Sequence, residues 1–347
     1  MALRVVQKEA LPTLVNALLA DRKVVGPTAR TSKYAFDVIG SPDQLVLDYP
    51  TTILPPKEWL LPHQEKLFDF TLGPSPAVKP AIEAEPVVLF GVHPCDIAGI
   101  ECLDAVMAEG NPDPYYLARR AKVSIVGVDC SPDDYCYCSF TGTSSVSTGY
   151  DVFLTDIGDS YVADVATDAG RAMMDRVATQ PAEASHLAAI KEHQAKKAAA
   201  IQCTLDTDIR LLPLVMTNAI GSKVWEQHAK PCFSCGACSL VCPTCYCFNV
   251  ADEMNLDLVT GSRKRSADAC MLDPFAKVAS GENFRDHRHQ RLLHRIERKF
   301  HYQYVKYGRP HCTGCGRCRR ACVAGIDQLN VIADLLTEQA EGVPHGR

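Results

Sequence analysis

The distribution of apolar residues predicts an α/β unit with parallel strands in the first half of the chain. Two short apolar runs, Val87–Val92 and Val123–Val128, have the length and the β-branched content of buried strands. Between them, the spacing of apolar residues predicts one helix through about 96–108 and a second near 114–121. A strand, a helical crossover and another strand make a βαβ unit, whose two strands run parallel.

Weaker patterns cover the rest of this region. They predict a helix at 9–21, short strands near 23–25, 36–39 and 44–48, a helix-like stretch at 57–70, a hairpin within 150–165 and mostly helix over 169–230. We therefore expect an α/β N-terminal domain at 1–228. A second domain is expected at 229–347.

Composition is that of an ordinary globular protein. The 347 residues are 47% hydrophobic, which is enough for two domains with buried cores. The N-terminal segment has no apolar core of signal-peptide length, and no apolar run reaches the roughly 18 residues of a membrane span. The seventeen cysteines then fit a reducing, cytoplasmic location. The net charge of −5 argues against nucleic acid and favours docking onto protein.

One cysteine pattern, CxxCxxCxxxC, occurs twice in the last third of the chain. This is the spacing of bacterial ferredoxins, in which the fourth cysteine of each run binds the other cluster. We expect two 4Fe-4S clusters, the first held by Cys232, Cys235, Cys238 and Cys322 and the second by Cys312, Cys315, Cys318 and Cys242. Zinc or disulfides are the alternatives, but zinc sites usually use paired CxxC units. Val323 stands where a proline is expected, whereas Pro243 is in place.

Four cysteines of the first domain are candidates for a third cluster. Cys95 and Cys130 follow the two predicted parallel strands, so both should lie at the carboxyl edge of the sheet, where ligands bind. Cys136 and Cys138 lie on the loop just beyond. The alternative is that all four are small buried thiols. Cys102 and Cys203 are expected in the core.

The stretch between the two runs is long for a ferredoxin and predicts a long helical insertion in an otherwise α-helical dicluster domain. Its arginines recur at helical spacing and its apolar residues Leu292, Ile296 and Phe300 share another side, so they define an amphipathic helix. The arginines are Arg285, Arg288, Arg291, Arg295 and Arg298. Either this basic face is solvated, or it faces the clusters or an acidic partner. The same segment contains four histidines that could bind a metal, although histidines at the surface are more common. They are His287, His289, His294 and His301.

Three further cysteines belong to the same region. Cys245 and Cys247 follow Cys242 too closely to complete the same cluster easily, and Cys270 lies within the insertion. We expect these thiols to pack or to support neighbouring ligands, with binding of another metal as the alternative.

Several nucleotide and nucleophile motifs are absent from the sequence. There is no GxGxxG after a strand, no GxxxxGK[ST] phosphate loop and no GxSxG elbow. The chain thus has no evident means of accepting hydride, whereas clusters transfer single electrons. A separate flavin or catalytic metal subunit is implied.

The motifs together resemble a known family. They are GVHPCD at 91–96, DPYY at 113–116, VGVDC at 126–130, CYCSF at 136–140, CFSCGACSLVCPTCYCF at 232–248, DPFAKVASGENFR at 273–285 and CTGCGRCRRAC at 312–322. In this combination the chain resembles the beta subunit of sulfhydrogenases, which are soluble NAD(P)-linked nickel-iron hydrogenases, and nearly as well the A subunit of anaerobic sulfite reductases. The likeness covers about 85–330.

The resemblance implies a non-catalytic electron-transfer subunit. FAD and NAD(P) would lie on a partner subunit, and electrons would pass to the small and large subunits of a nickel-iron hydrogenase, or to a sirohaem sulfite reductase subunit. It also favours a redox function for Cys95, Cys130, Cys136 and Cys138. Two other classes remain open at this point: a self-contained iron-sulfur oxidoreductase that binds a flavin or a substrate, and a structural scaffold with zinc.

Overall fold

The computed structural model describes residues 2–342. The strands in this range are Ala2–Gln7 (β1), Lys23–Arg30 (β2), Lys33–Val38 (β3), Gln64–Thr71 (β4), Ala77–Pro80 (β5), Val87–Val92 (β6), Val123–Val128 (β7), Val152–Asp156 (β8), Ser160–Val165 (β9), Gln180–Pro181 (β10), Phe248–Met254 (β11) and Thr260–Ala267 (β12). The α-helices are Leu11–Leu19 (α1), Pro94–Ala108 (α2), Pro114–Arg120 (α3), Asp168–Met174 (α4), Ala184–Ala200 (α5), Leu212–Asn218 (α6), Val224–Ala229 (α7), Ala237–Leu240 (α8), Arg288–Glu297 (α9), Gln303–Tyr307 (α10), Arg317–Ala321 (α11) and Gln328–Ala340 (α12).

An eight-stranded mixed sheet forms the N-terminal part, with the strand order β10-β1-β9-β8-β7-β6-β2-β3. Its centre is parallel, because β6 pairs in parallel with both β2 and β7, and β7 pairs in parallel with β8. Alternate residues of β6 enter two different cores: Val88 and Phe90 pack on one face, Val87 and Leu89 on the other. Burial on both faces explains why this strand is continuously apolar. The predicted βαβ unit is confirmed.

Two local predictions in this region are wrong. The stretch at 57–70 is a short 3-10 helix, Pro56–Trp59, followed by the strand β4. Residues 44–48 form no strand, although the amide of Val46 donates to the carbonyl of Pro27 at 2.8 Å. The predicted hairpin at 150–165 is confirmed as β8 and β9.

The insertion between the cysteine runs is not helical throughout. Its first half is the hairpin β11–β12, and β12 pairs with β4 in an antiparallel four-stranded sheet of order β11-β12-β4-β5. This sheet joins strands from both sides of position 228, and the domain boundary placed there stays a prediction. The polar sequence of β12 has no apolar alternation, so its strand state depends on pairing with a segment about 200 residues away.

The helical half of the insertion packs against the cysteine runs. It consists of α9, a π-helical turn at Arg298–Tyr302, and α10 in direct succession. Leu292, Ile296 and Phe300 are buried in the C-terminal hydrophobic core, as their spacing predicts. Among residues 2–342, no helix combines the length and the apolar character needed to cross a membrane.

Candidate metal centres

The two cysteine runs have the same local backbone. In each, a glycine with a left-handed backbone precedes a short helix that carries the third cysteine of the run: Gly236 (φ 75°) before α8 and Gly316 (φ 69°) before α11. The two short helices lie against each other. The repeat in sequence is therefore a repeat in structure, and the third cysteines of the two runs, Cys238 and Cys318, lie on adjacent helices.

The first predicted ligand set lines a single cavity. Its walls include Cys232, Cys235 and Cys238 of the first run and Cys322 from the end of the second run. Two backbone amides donate to these sulfurs, that of Ser234 to Cys232 at 3.3 Å and that of Ile326 to Cys322 at 3.3 Å. The crossing of the fourth cysteine between the runs is thus compatible with the fold. Cys318 of the second predicted set also lines this cavity, so the two predicted centres adjoin. Soft thiol ligands around one cavity fit an iron-sulfur cluster.

The second predicted ligand set is more deeply placed. Cys242, Cys312 and Cys315 are buried and Cys318 is half-buried. Burial, together with the charges of Cys242 and Cys315, raises the pKa of Cys312 to about 11 against the opposing effect of hydrogen bonds from Tyr137 and the Gly314 amide. Burial is also the main cause that raises the pKa of Cys315 and of Cys318, and the charge of Cys242 raises both pKa values too. The four thiols therefore lie within electrostatic reach of one another.

Buried cations surround these thiols. Arg295 and Lys299 are 4% and 5% exposed, and Nη2 of Arg295 donates to the carbonyl of Cys238 at 2.8 Å. Lys57, from the N-terminal region, donates through Nζ to the carbonyls of Cys242 (2.6 Å) and Cys245 (2.7 Å). A cluster with its thiolates is anionic, so these cations fit it and favour its more negative, reduced state.

Only part of the arginine series faces the thiols. Arg295 lines the first cavity, and buried Arg291 donates to Ser234 and pairs with Asp273 at 2.9 Å. Arg288 is exposed. The helix therefore carries both an arginine exposed to solvent and arginines that face the candidate centres. The sequence spacing alone could not show which arginine belongs to which group.

The cysteines of the N-terminal domain also converge. Cys95 lies in the first turn of α2, Cys130 follows β7, and Cys136 and Cys138 lie on the next loop, all at the carboxyl edge of the sheet. Burial raises the pKa of Cys130 to about 12, with Cys138 acting in the same direction. Cys130 in turn raises the pKa of Cys95 and Cys136, whose main cause is again burial. That these four thiols bind a third cluster stays a prediction.

This third group adjoins the second cysteine run. A Cβ at Gly314 would lie 2.5 Å from the backbone nitrogen of Cys138, so only glycine allows this approach. The amide of Tyr137 donates to the carbonyl of Gly314 at 2.9 Å. Next to it, Arg317 forms a buried two-point ion pair with Asp96 at 2.5 and 2.7 Å. The carboxyl edge of the sheet is thereby fixed against the second predicted cluster.

Several side chains at these centres were not predicted from the sequence. The Tyr137 hydroxyl and Sγ of Cys312 are 3.1 Å apart, and Nε2 of Gln328 donates to the same sulfur at 3.1 Å. Lys197 pairs with Asp129 and lies close enough to Cys130 to oppose the rise in its pKa. The two members of each contact are far apart in sequence, so no local pattern could have indicated them. Hydrogen bonds to cluster sulfurs are one means of setting a potential.

The remaining cysteines and histidines have mixed surroundings. Cys102 is buried in α2, whereas Cys203 is half-buried and contacts Arg319. Cys247 and Cys270 are neighbours, and the hydrogen bond from Cys247 lowers the pKa of Cys270 to about 6. His301 hydrogen-bonds to Glu297 at 2.5 Å. Across residues 2–342, no group of three or more His, Cys, Asp and Glu side chains could hold a metal ion as placed. The thiolates of a cluster bind different iron atoms, so they need not meet at one point.

Comparisons with known proteins agree with this geometry. A family model described as a 4Fe-4S dicluster domain matches residues 231–326. The chain is 35% identical over 333 residues to sulfhydrogenase 2 subunit beta of Pyrococcus furiosus, covering 94% of this chain and 96% of that protein. No solved structure matches the chain significantly. Both comparisons support iron-sulfur binding by this chain.

Proposed function

Because this chain belongs to the family of sulfhydrogenase beta subunits, we propose that it relays electrons between a flavin subunit that handles NAD(P)H and a nickel-iron hydrogenase module in the cytoplasm. A flavin accepts two electrons with hydride, and each cluster passes them on singly. At the partner hydrogenase, two electrons and two protons would form one H₂, or one H₂ would be oxidised to two electrons and two protons. The two cysteine runs, with their interleaved thiols, carry the proposal.

The first cluster is the proposed docking end of the relay. Cys235 is exposed, and it is flanked by two exposed apolar side chains, Phe233 (70% exposed) and Val323 (80% exposed). Exposed aromatic residues beside a redox group are suited to a protein interface, where they supply apolar contact while the centre comes close to its partner. We assign this surface to one of the neighbouring subunits.

Replacing Phe233 by aspartate should weaken assembly with the partner subunit at this surface. A central aromatic contact is worth about 2 kcal/mol or more, which corresponds to roughly 30-fold in dissociation constant. The measurement is the affinity between the purified chain and each partner subunit, with iron content as a check on the cluster. Leu256→Asp, at a fully exposed position on the β11–β12 turn, is the matched control. Equal affinity for wild type and Phe233→Asp would place the interface elsewhere.

The third centre is the proposed other end of the relay. Its cysteines border the second cluster through Gly314 and Cys315, and Cys130 lines an open groove at the sheet edge together with Asp129 and His193. A path from the first cluster through the buried second cluster to this edge would cross the molecule. We propose that Cys95, Cys130, Cys136 and Cys138 ligate this centre.

Changing Cys130 to alanine tests the third centre. The iron content of the reconstituted chain should fall by about four atoms, one cluster's worth, while the two ferredoxin-type clusters keep their signals. Iron analysis and electron paramagnetic resonance of the dithionite-reduced chain give both quantities. Cys203→Ala serves as the control because that thiol lies outside all predicted ligand sets. An iron content equal to that of wild type in Cys130→Ala would mean that these four thiols bind no cluster and only pack in the core.

The relay is tested by assembly of the complex. The isolated chain should not oxidise NAD(P)H, whereas adding the flavin subunit should reduce its clusters, and adding the nickel-iron module should yield H₂. Turnover of NAD(P)H by the isolated chain would instead favour a self-contained oxidoreductase. Delivery of electrons to sulfite and not to protons would favour a sulfite reductase subunit.

A further inference from the structure

A second cavity lies beside the cysteine runs. It is lined by three cysteines, Cys245, Cys247 and Cys270, and by His311. The thiols come from the two ends of one hairpin, because β11 begins just after Cys247 and β12 ends three residues before Cys270. The amide of Asp268 donates to the carbonyl of Cys247 at 2.9 Å and closes this arrangement. Strand pairing thus gathers thiols that the sequence separates by more than twenty residues.

The cavity is strongly positive. Arg295, Arg298 and Lys299 also line it. Arg295 and Lys299 are buried, and within residues 2–342 neither has a carboxylate partner within ion-pair distance. Nζ of Lys299 donates to a neutral group, the hydroxyl of Thr244, at 2.6 Å. The thiolates of the two predicted ferredoxin-type clusters already supply counter-charge, since Cys238 and Cys242 raise the pKa of Arg295 and Cys242 raises that of Lys299. The same cations would also stabilise an anionic group in this cavity.

Polar atoms around the cavity also lack partners. Nε2 of His311, Oε1 of Gln303 and Nε of Arg295 are buried and have no hydrogen-bond partner. His311 is 2% exposed. Buried polar groups are normally satisfied, so the two nitrogens, of His311 and Arg295, point to a missing occupant, whereas Oε1 of Gln303 is an acceptor that a sulfide-rich group would not satisfy. An unpaired imidazole nitrogen next to three thiols is a set of ligands for a soft metal centre.

Thiol packing does not explain this set. Cysteines that only fill space do not need an unpartnered imidazole nitrogen beside them. A single metal ion does not fit the side chains as placed, because none of the described groups could hold one. An iron-sulfur cluster has ligand positions that are spread over several iron atoms, and its negative charge suits the cations that line the cavity.

We propose that Cys245, Cys247 and Cys270, with His311 as the fourth ligand, hold a further iron-sulfur cluster in this cavity. This replaces the expectation that the three thiols only pack or support their neighbours. Arg295 lines both this cavity and that of the first cluster, so one guanidinium would stabilise the reduced states of both. The site goes beyond the proposed relay, which needs only the other centres.

The test compares iron and inorganic sulfide in the full chain after anaerobic reconstitution. Cys247→Ala/Cys270→Ala should contain about four fewer iron atoms than wild type, with the rest retained. Cys245 is left in place because its thiol hydrogen-bonds to Cys242 of the second predicted ligand set. Cys102→Ala, which removes a buried thiol outside the cavity, should contain as much iron as wild type. Equal iron in the double variant and wild type would overturn the proposal. If the double variant loses all its iron, the single variant Cys247→Ala is measured instead. A loss of about four iron atoms then supports the proposal, and iron equal to wild type overturns it.

A combined variant separates this centre from the second cluster. Cys247→Ala and Cys315→Ala should each remove about four iron atoms, and together about eight, if they belong to different clusters. A combined loss of only about four would mean that Cys247 acts on the second cluster, and the proposal would fail. His311→Ala should alter the resonance signal of one centre while the signals of the two ferredoxin-type clusters persist. A spectrum identical to that of wild type would remove His311 as a ligand.

Discussion

Replacing Cys315 by alanine is expected to stop electron transfer through the complex while the chain remains folded. Cys315 is buried and belongs to the second predicted ligand set, and it also raises the pKa of Cys95 and Cys138 at the carboxyl edge of the sheet. Without its thiolate, the proposed second cluster would lose the ligand to one of its iron atoms. Loss of an outer partner of a metal site already lowers activity by about 10–100-fold, and loss of a direct ligand should exceed that.

The measurement is H₂ formation from NAD(P)H in the assembled complex, with iron content determined on the same sample. Cys315→Ala should lack about four iron atoms and most of the turnover. Cys203→Ala should retain both. If Cys315→Ala loses iron but keeps wild-type turnover, electrons bypass the second cluster and the proposed route is wrong.

Replacing Arg317 by methionine should strongly destabilise the fold. Arg317 and Asp96 are 2% and 1% exposed, and the guanidinium also donates to the carbonyl of Thr52 at 2.9 Å. The substitution leaves the Asp96 carboxylate buried without its partner. Breaking a buried pair in this way typically costs about 3–5 kcal/mol of the free energy of unfolding.

Anaerobic urea unfolding of the full chain gives this quantity, with the midpoint read before and after substitution. Asp96→Ala/Arg317→Met removes both charges and should recover part of the loss, since no buried charge is then unpaired. Arg263→Met, which breaks the exposed pair with Asp252, should shift the midpoint far less. Equal shifts for Arg263→Met and Arg317→Met would show that the buried ion pair does not fix the carboxyl edge of the sheet to the second cysteine run.

The elements that could be predicted are those whose signal is local. The strands β6 and β7 are apolar without interruption because both faces of the sheet are covered, and the helix between them follows its own periodicity. The apolar spacing around β4 favours a helix although the segment is a strand, and no local pattern predicts β12. Both depend on their mutual pairing across the chain, which leaves no periodic signal in either segment.

The candidate ligands divide in the same way. Cysteine spacing identifies two ferredoxin-type runs because the thiols of one run must reach successive corners of one cluster within a few residues. Spacing does not show that Lys57 reaches the carbonyl of Cys242, or that Arg295 is buried whereas Arg288 is exposed. Such contacts depend on how separate elements pack, and helical periodicity assigns residues only to a side of the helix.

The sequence by itself determined the family, the two cysteine runs and the parallel centre of the main sheet, because each is encoded in residues close together along the chain. Only the tertiary structure decided that the cysteines at 95–138 lie against the second run, and that Cys245, Cys247 and Cys270 share one positive cavity. Those neighbourhoods are made by long-range strand pairing and by burial of charge, and neither leaves a trace in local sequence.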